Sequence, residues 1–157
     1  MTGRDRDAAG RARNARPRDA LGRPLPRRAG GEPTAGDEAL PPAAALAMAQ
    51  QLLDASRPFH AHEVLEAAWK SSPASERDLW QGLAQIAVGL THALRGNPRG
   101  AVALLRRGAG RLASYPPAGP HGIDVAGVRE SATALADRID AAGLACLDPA
   151  SLRLQLR

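Results

Sequence analysis

Apolar residues recur at three- and four-residue spacing along most of this chain, which is the signature of amphipathic helices. Leu46, Ala49, Leu52 and Leu53 make one such stripe, opened by Pro41-Pro42 and closed by Ser56-Arg57-Pro58, and they predict a first helix ending near Ser56. A second helix is expected from about Phe59 to Lys70, with Ser71-Ser72-Pro73 as its breaker. A third runs from about Ser75 to Arg95, with Glu76 and Asp78 at its positive end and Gly96-Asn97-Pro98 as its stop. Ala101, Val102, Leu105 and Leu112 predict a fourth, over about Arg99 to Ala113. After the Pro- and Gly-rich stretch 115–120, Asp124 is placed to cap a fifth helix, in which Val125, Val128, Ala132, Leu135 and Ile139 alternate at three and four up to Gly143. Ser151 to Arg157 alternates apolar and polar, and fits either an extended segment laid on the helices or a short frayed helix.

Polar residues inside this pattern are as informative as the apolar ones. His62, Glu66 and Trp69 fall at i, i+4 and i+7 on one face of the second helix, with Glu63 about 100° further round. On the third helix Gln81, Gln85, Val88 and His92 repeat the arrangement, while Leu79, Leu83, Ile86, Leu90 and Leu94 surround them with apolar surface. A helix apolar over most of its circumference is expected to be buried, and buried amides and imidazoles need partners. The simplest expectation is that the two polar stripes face each other in the interior, as a network of His62, Glu66, Trp69, Gln81, Gln85 and His92. Truncating His62 or Glu66 in such a network costs about 2–4 kcal/mol.

Composition agrees with a helical fold. Of the 157 residues 44% are hydrophobic but only 3% aromatic, so alanine and leucine, both helix formers, must fill the core. The length suits a single all-α domain over residues 39–145, made of about five helices that short loops turn antiparallel, as a bundle or a short right-handed superhelix. No internal repeat supports a regular solenoid array. Residues 1–38 hold nine arginines and six acids without apolar periodicity and read as a disordered tail; residues 146–157 read as a C-terminal tail. No apolar run follows the Arg-rich start, so a secretory signal is not expected, and no window is long and apolar enough for a membrane span. One cysteine, Cys146, fits a reducing cytoplasm and is expected to be an inert thiol.

Several spaced blocks carry a family resemblance. Phe59-His60-Ala61-His62-Glu63-Val64-Leu65-Glu66-Ala67-Ala68-Trp69, then Trp80-Gln81-Gly82-Leu83-Ala84-Gln85-Ile86-Ala87 followed by His92, then Arg95-Gly96-Asn97 leading to Gly100-Ala101, resemble the signature of the bacterial and archaeal family called domain of unknown function 309. Gly122-Ile123-Asp124-Val125 is similar to the start of that family's last helix. The resemblance spans roughly residues 45–140 and implies a compact all-α domain of a few antiparallel helices. It implies no biochemical activity, since none is assigned to the family.

Three chemistries are open to these residues. His62-Glu63-x-x-Glu66 differs by one residue from a zinc-binding His-Glu-x-x-His helix, and His62, Glu66 and either His92 or His60 would make a two-histidine, one-carboxylate set for a divalent metal. Against that, no second histidine stands at the zincin spacing and no cysteine lies nearby, so no metal or other cofactor is favoured. The same cluster, with His62, Glu63, Glu66 and His92 as candidate catalytic groups, could transfer protons to and from a small substrate. Finally, no Asp or Glu lies between Asp78 and Asp124, an interval that holds Arg95, Arg99, Arg106, Arg107 and Arg111. That is a candidate surface for nucleic acid or phosphate, although no aromatic residue interleaves the arginines for base stacking.

The favoured reading is a cytoplasmic helical binding or scaffold domain, its partner a protein or a second copy of itself. A small metal-dependent or acid–base enzyme is the rival, and a nucleic-acid module the third reading. Trp69 and Trp80 are expected in the core, and His121 exposed and without a role.

Overall fold

The computed structural model of the chain describes residues 18–25, 39–145 and 147–157. Five α-helices follow one another: α1 (Pro42–Asp54), α2 (Pro58–Ser71), α3 (Arg77–Leu94), α4 (Pro98–Leu112) and α5 (Val125–Ala142). Proline opens α1, α2 and α4, where its missing N–H is harmless. Asn97 caps α4 by accepting from the Gly100 amide at 3.0 Å, and Asp124 caps α5 by accepting from the Gly127 amide at 3.0 Å. Left-handed backbone at Ser56 (φ 58°) and Gly96 (φ 77°) ends the helical path after α1 and α3.

Each helix packs on the one before it, α1 on α2, α2 on α3, α3 on α4 and α4 on α5, so the fold is an all-helical bundle built from consecutive hairpins. Among the described residues the only β pairings are two isolated bridges, Arg18 with Pro24 and Ala118 with Asp124. Alanine and leucine dominate the core as expected, around a single large aromatic, Trp80, which is 1% exposed. The most extensive helix contact joins α3 to α4. Gly82 and Gly108 face each other there, and a Cβ on Gly108 would stand 2.6 Å from the Gly82 carbonyl oxygen. Backbones can approach this closely only where neither residue carries a side chain.

The C-terminal residues belong to the domain. After a short 3₁₀ turn, Pro149–Leu152, the chain runs extended and buries Leu154 and Leu156. The Gln50 side chain of α1 donates to the Leu154 carbonyl at 2.9 Å and accepts from the Leu156 amide at 2.8 Å, as a neighbouring strand would. The Leu156 carbonyl accepts from the Asp124 amide at 2.9 Å, so this tail ties α1 to the start of α5. Of the two conformations open to Ser151–Arg157, the extended one holds from Arg153 onward.

Residues 18–25 fall within the stretch expected to be a disordered tail, yet they form a tight turn. Asp19 accepts from the Leu21 and Arg23 amides, and Gly22, at φ 73°, lies flat against the Phe59 ring. Arg95 donates from Nε and Nη2 to the Leu21 carbonyl at 2.9 and 2.7 Å. The Arg18 and Arg95 guanidinium groups stand 4.9 and 5.7 Å from the Phe59 ring centroid. The rest of the expected tail, and Cys146, lie outside the described residues.

Candidate functional site

The α2 stripe forms as a row along one helix. His62 Nε2 lies 3.5 Å from Glu66 Oε2, and Lys70 Nζ lies 3.0 Å from Glu66 Oε1, each one helical turn apart. Their setting is half-buried: the His62 and Glu66 side chains are 23% and 33% exposed. Burial lowers the His62 pKa from its ordinary value; the Glu66 carboxylate works against this and the Lys70 ammonium with it. His62 Nδ1 is buried with no hydrogen-bond partner among the described residues. Trp69 is half-buried against the core, and Glu63 is half-buried. His60, two residues and about 200° from His62, points elsewhere and is 3% exposed, with its ring edge-on to Phe59. Burial first, and then the neighbouring Arg57, lowers its pKa.

The α3 stripe does not meet this row, which corrects the main sequence expectation. Gln85 Oε1 accepts from Arg111 Nε of α4 at 3.1 Å. His92 Nδ1 lies 3.0 Å from the Asn97 side-chain nitrogen, and its ring adjoins Gly100 at the start of α4. Gln81 is half-buried one turn before Gln85. The cause is the Gly82–Gly108 crossing. It seats Gly82, Ile86 and Gly89 of α3 on α4, and positions 81, 85 and 92 flank that seam. The sequence signal was present in the glycines, Gly82 and Gly89 on α3 and Gly100 and Gly108 on α4, which mark where the two backbones approach. The six-residue network therefore divides into a His62–Glu66 pair on α2 and two separate links from α3 to α4.

The metal set divides in the same way. His62 and Glu66 are neighbours, but His92 lies with α4 and His60 on another side of α2. Among the described residues no three His, Cys, Asp or Glu side chains converge where they could share an ion. The four candidate catalytic groups are likewise not brought together, since His92 is apart from His62 and Glu66.

The basic stretch is also broken up. Arg106 reaches two α5 carboxylates, Asp137 and Asp140, at 3.0 Å each, and they raise its pKa. Arg111 pairs with Asp78 at 2.7 Å. Arg95 holds the Leu21 carbonyl. Arg99 and Arg107 remain exposed. The acids missing from the interval come from outside it, so the five arginines do not form one cationic face.

One cluster was not anticipated. Glu76 Oε2, just ahead of α3, accepts from Trp80 Nε1 at 3.1 Å and from His121 Nε2 at 2.9 Å. His121 sits in left-handed backbone (φ 60°) in the α4–α5 connection, and its ring centroid is 5.9 Å from that of Trp80. The Tyr115 hydroxyl donates to the Ser75 carbonyl at 2.7 Å and accepts from the Leu79 amide at 3.1 Å. The hydrogen bond from His121 is the main reason the Glu76 carboxyl lies below its ordinary range. The expectation that His121 has no role is thus corrected: it fastens a loop to the start of α3. The i, i+4 spacing of Glu76 and Trp80 was legible, but no local pattern announced the histidine from 45 residues away.

Residues 46–104 match the family model described as Domain of unknown function (DUF309). The match runs from within α1 to about the middle of α4, and the Gly122–Val125 block lies beyond it. No curated protein and no solved structure matches the chain. Among the described residues, no helix is long and apolar enough to cross a membrane.

Proposed function

Through residues 46–104 the chain belongs to the DUF309 family, whose description assigns no activity, and on that premise we propose that it is a helical binding or scaffold module of the cytoplasm. Its partner in this reading is another protein or a second copy of the chain. The observation that carries the reading is the α2 row. His62, Glu66 and Trp69 are half-buried and Lys70 is exposed beside them, on a helix otherwise packed against α1 and α3. Tryptophan is among the side chains enriched at the hot spots of protein interfaces, and Trp69 is the one that supports the reading here. Gln85 and His92 of α3 are engaged by Arg111 and Asn97, so among the described residues they do not join His62 and Glu66. Nucleic acid is the weaker partner, because Arg106 and Arg111 already hold carboxylates.

A small acid–base or metal-dependent enzyme is the second reading, and it rests on the neutral-favouring burial of His62 beside Glu66. Crosslinking in cells, comparing the full chain with Trp69→Ala of unchanged helix content, tests the first reading. The same partner should be captured by the parent and lost by the variant. Elemental analysis of untagged protein tests the second. Stoichiometric zinc, iron or manganese that disappears in His62→Ala would replace the module by a metal enzyme.

A further inference from the structure

The C-terminal tail is held in the way a bound peptide is held. Three hydrogen bonds fix residues 154–156, and each goes to the tail's main chain. Gln50 Nε2 donates to the Leu154 carbonyl at 2.9 Å, the Leu156 amide donates to Gln50 Oε1 at 2.8 Å, and the Asp124 amide donates to the Leu156 carbonyl at 2.9 Å. Asp54 Oδ1 accepts from the same Gln50 nitrogen at 2.8 Å and so fixes which end of the amide is the donor. The amide presents one donor and one acceptor as a strand edge does, and such an edge pairs with a backbone whatever its side chains are. Side chains enter only at alternate positions: Leu154 and Leu156 are buried, whereas Arg153, Gln155 and Arg157 face solvent. The groove beneath is larger than its occupant. Leu90 of α3 lines open space on both flanks of the tail, about 20 Å³ beside Leu53, Leu94 and Leu152 and about 200 Å³ beside Ile86, Leu105, Leu135 and Leu154. The first holds about one water, while the second exceeds the roughly 150 Å³ that accepts a benzene ring. A segment seated by three hydrogen bonds and two leucines, with unfilled room beside it, opens more readily than the helices that carry it.

We propose that this groove is a docking site for an extended segment of a partner protein, with apolar residues at alternate positions and an aromatic ring where the tail has Leu154, and that the tail is its resident competitor. The tail itself shows the chemistry of the occupant. Gln50 and the Asp124 amide read a main chain, the two buried positions require an apolar period of two, and a ring fills the space that leucine leaves open. In the closed chain the tail lowers the partner's apparent affinity by the fraction of molecules whose groove is free. The site is separate from the α2 row and its test does not involve Trp69, so either reading can fail alone.

The probes are a labelled, acetylated peptide of residues 152–157 and its Leu154→Phe version, titrated by fluorescence anisotropy. The proteins are the full parent chain and full-chain Leu154→Asp/Leu156→Asp, in which the tail is expelled and the groove is untouched. The opened variant should bind the Leu154→Phe peptide at one site with a Kd of about 10–100 μM, at least about threefold more tightly than the unsubstituted peptide. The parent should bind it at least about tenfold more weakly. Adding Gln50→Ala to the opened variant should weaken binding about tenfold, with helical circular dichroism retained. Absence of saturable binding to the opened variant would overturn the proposal. So would affinity unchanged by Gln50→Ala, or equal binding of the two peptides. A parent dimer that Leu154→Asp/Leu156→Asp abolishes would make the occupant the tail of a second copy, and would overturn it as well. If the opened variant fails to fold, hydrogen exchange at the Leu156 amide of the parent decides: saturating Leu154→Phe peptide should accelerate it, and unchanged exchange would sink the proposal.

Discussion

Replacing Gly108 by alanine places a methyl group where α4 crosses α3. The new Cβ would lie 2.6 Å from the Gly82 carbonyl oxygen, 2.6 Å from Ile86 Cγ1 and 3.1 Å from the Ile86 amide nitrogen. Two of these neighbours are backbone atoms, which no rotamer change can move aside, so the helices must separate. Overpacking of this kind costs about 1–3 kcal/mol. The gain in helix propensity from glycine to alanine returns about 1 kcal/mol, leaving a net loss of about 1 kcal/mol. Gly110, on the same helix, is the internal control. It is exposed, and a Cβ there meets nothing within 4 Å. Gly110→Ala should therefore stabilise by about 0.5–1 kcal/mol. The two variants should differ by about 2 kcal/mol, which corresponds to thermal midpoints on the order of 8 °C apart for a domain of this size. Far-UV circular dichroism during heating reads the difference. If Gly108→Ala unfolds at or above the midpoint of Gly110→Ala, the close crossing does not exist and the placement of the α3 stripe loses its cause.

Two further predictions concern pH. Burial holds His62 and His60 below the ordinary imidazole value of 6.5, so near that pH the unfolded chain binds more protons; stability should be full above it and decline as pH falls through the lowered folded values. His62→Gln should flatten part of that slope in urea unfolding at a series of pH values, while costing only about 0–1 kcal/mol at neutral pH, because its pair with Glu66 is partly exposed; an unchanged slope would show that His62 is not desolvated. Glu76 is held below the ordinary carboxyl value of 4.5 chiefly by its hydrogen bond from His121, so its contribution should be present above that pH and be lost as pH falls through the lower folded value. Glu76→Gln should lower the thermal midpoint at neutral pH and lose less than the parent on acidification; equal midpoints would remove the His121–Glu76–Trp80 fastening from the account.

Local chemistry was legible in the sequence, and long-range geometry was not. Helix number, order and most boundaries followed from periodicity and from Pro42, Pro58, Pro98, Asp124 and Gly143, because caps and breakers act within one turn. The His62–Glu66 pair was readable for the same reason, being one turn apart. Its burial was overestimated, and with it the 2–4 kcal/mol expected from truncation. That cost requires a buried network, whereas an exposed or half-exposed pair contributes about 0–1 kcal/mol. The rotation of α3 was not readable from polar periodicity, since the same stripe can be turned to either neighbour and only the Gly82–Gly108 contact chooses α4. The Gln50 clamp on the tail joins residues more than 100 positions apart, and the Arg106 and Arg111 ion pairs join residues more than 30 apart. Residues 18–25 had the composition of a solvated tail. What orders them is Phe59 and Arg95, which no local pattern connects to Gly22.

The account turns on where Gln85 directs its amide: across to Arg111 on α4, not to the carboxylate on α2. A double-mutant cycle read by urea unfolding measures this directly. Gln85 with Arg111 should show a coupling of about 0.5–1.5 kcal/mol, and Gln85 with Glu66 none beyond error. Coupling of Gln85 to Glu66 without coupling to Arg111 would contradict it, and would restore a shared interior network with His62.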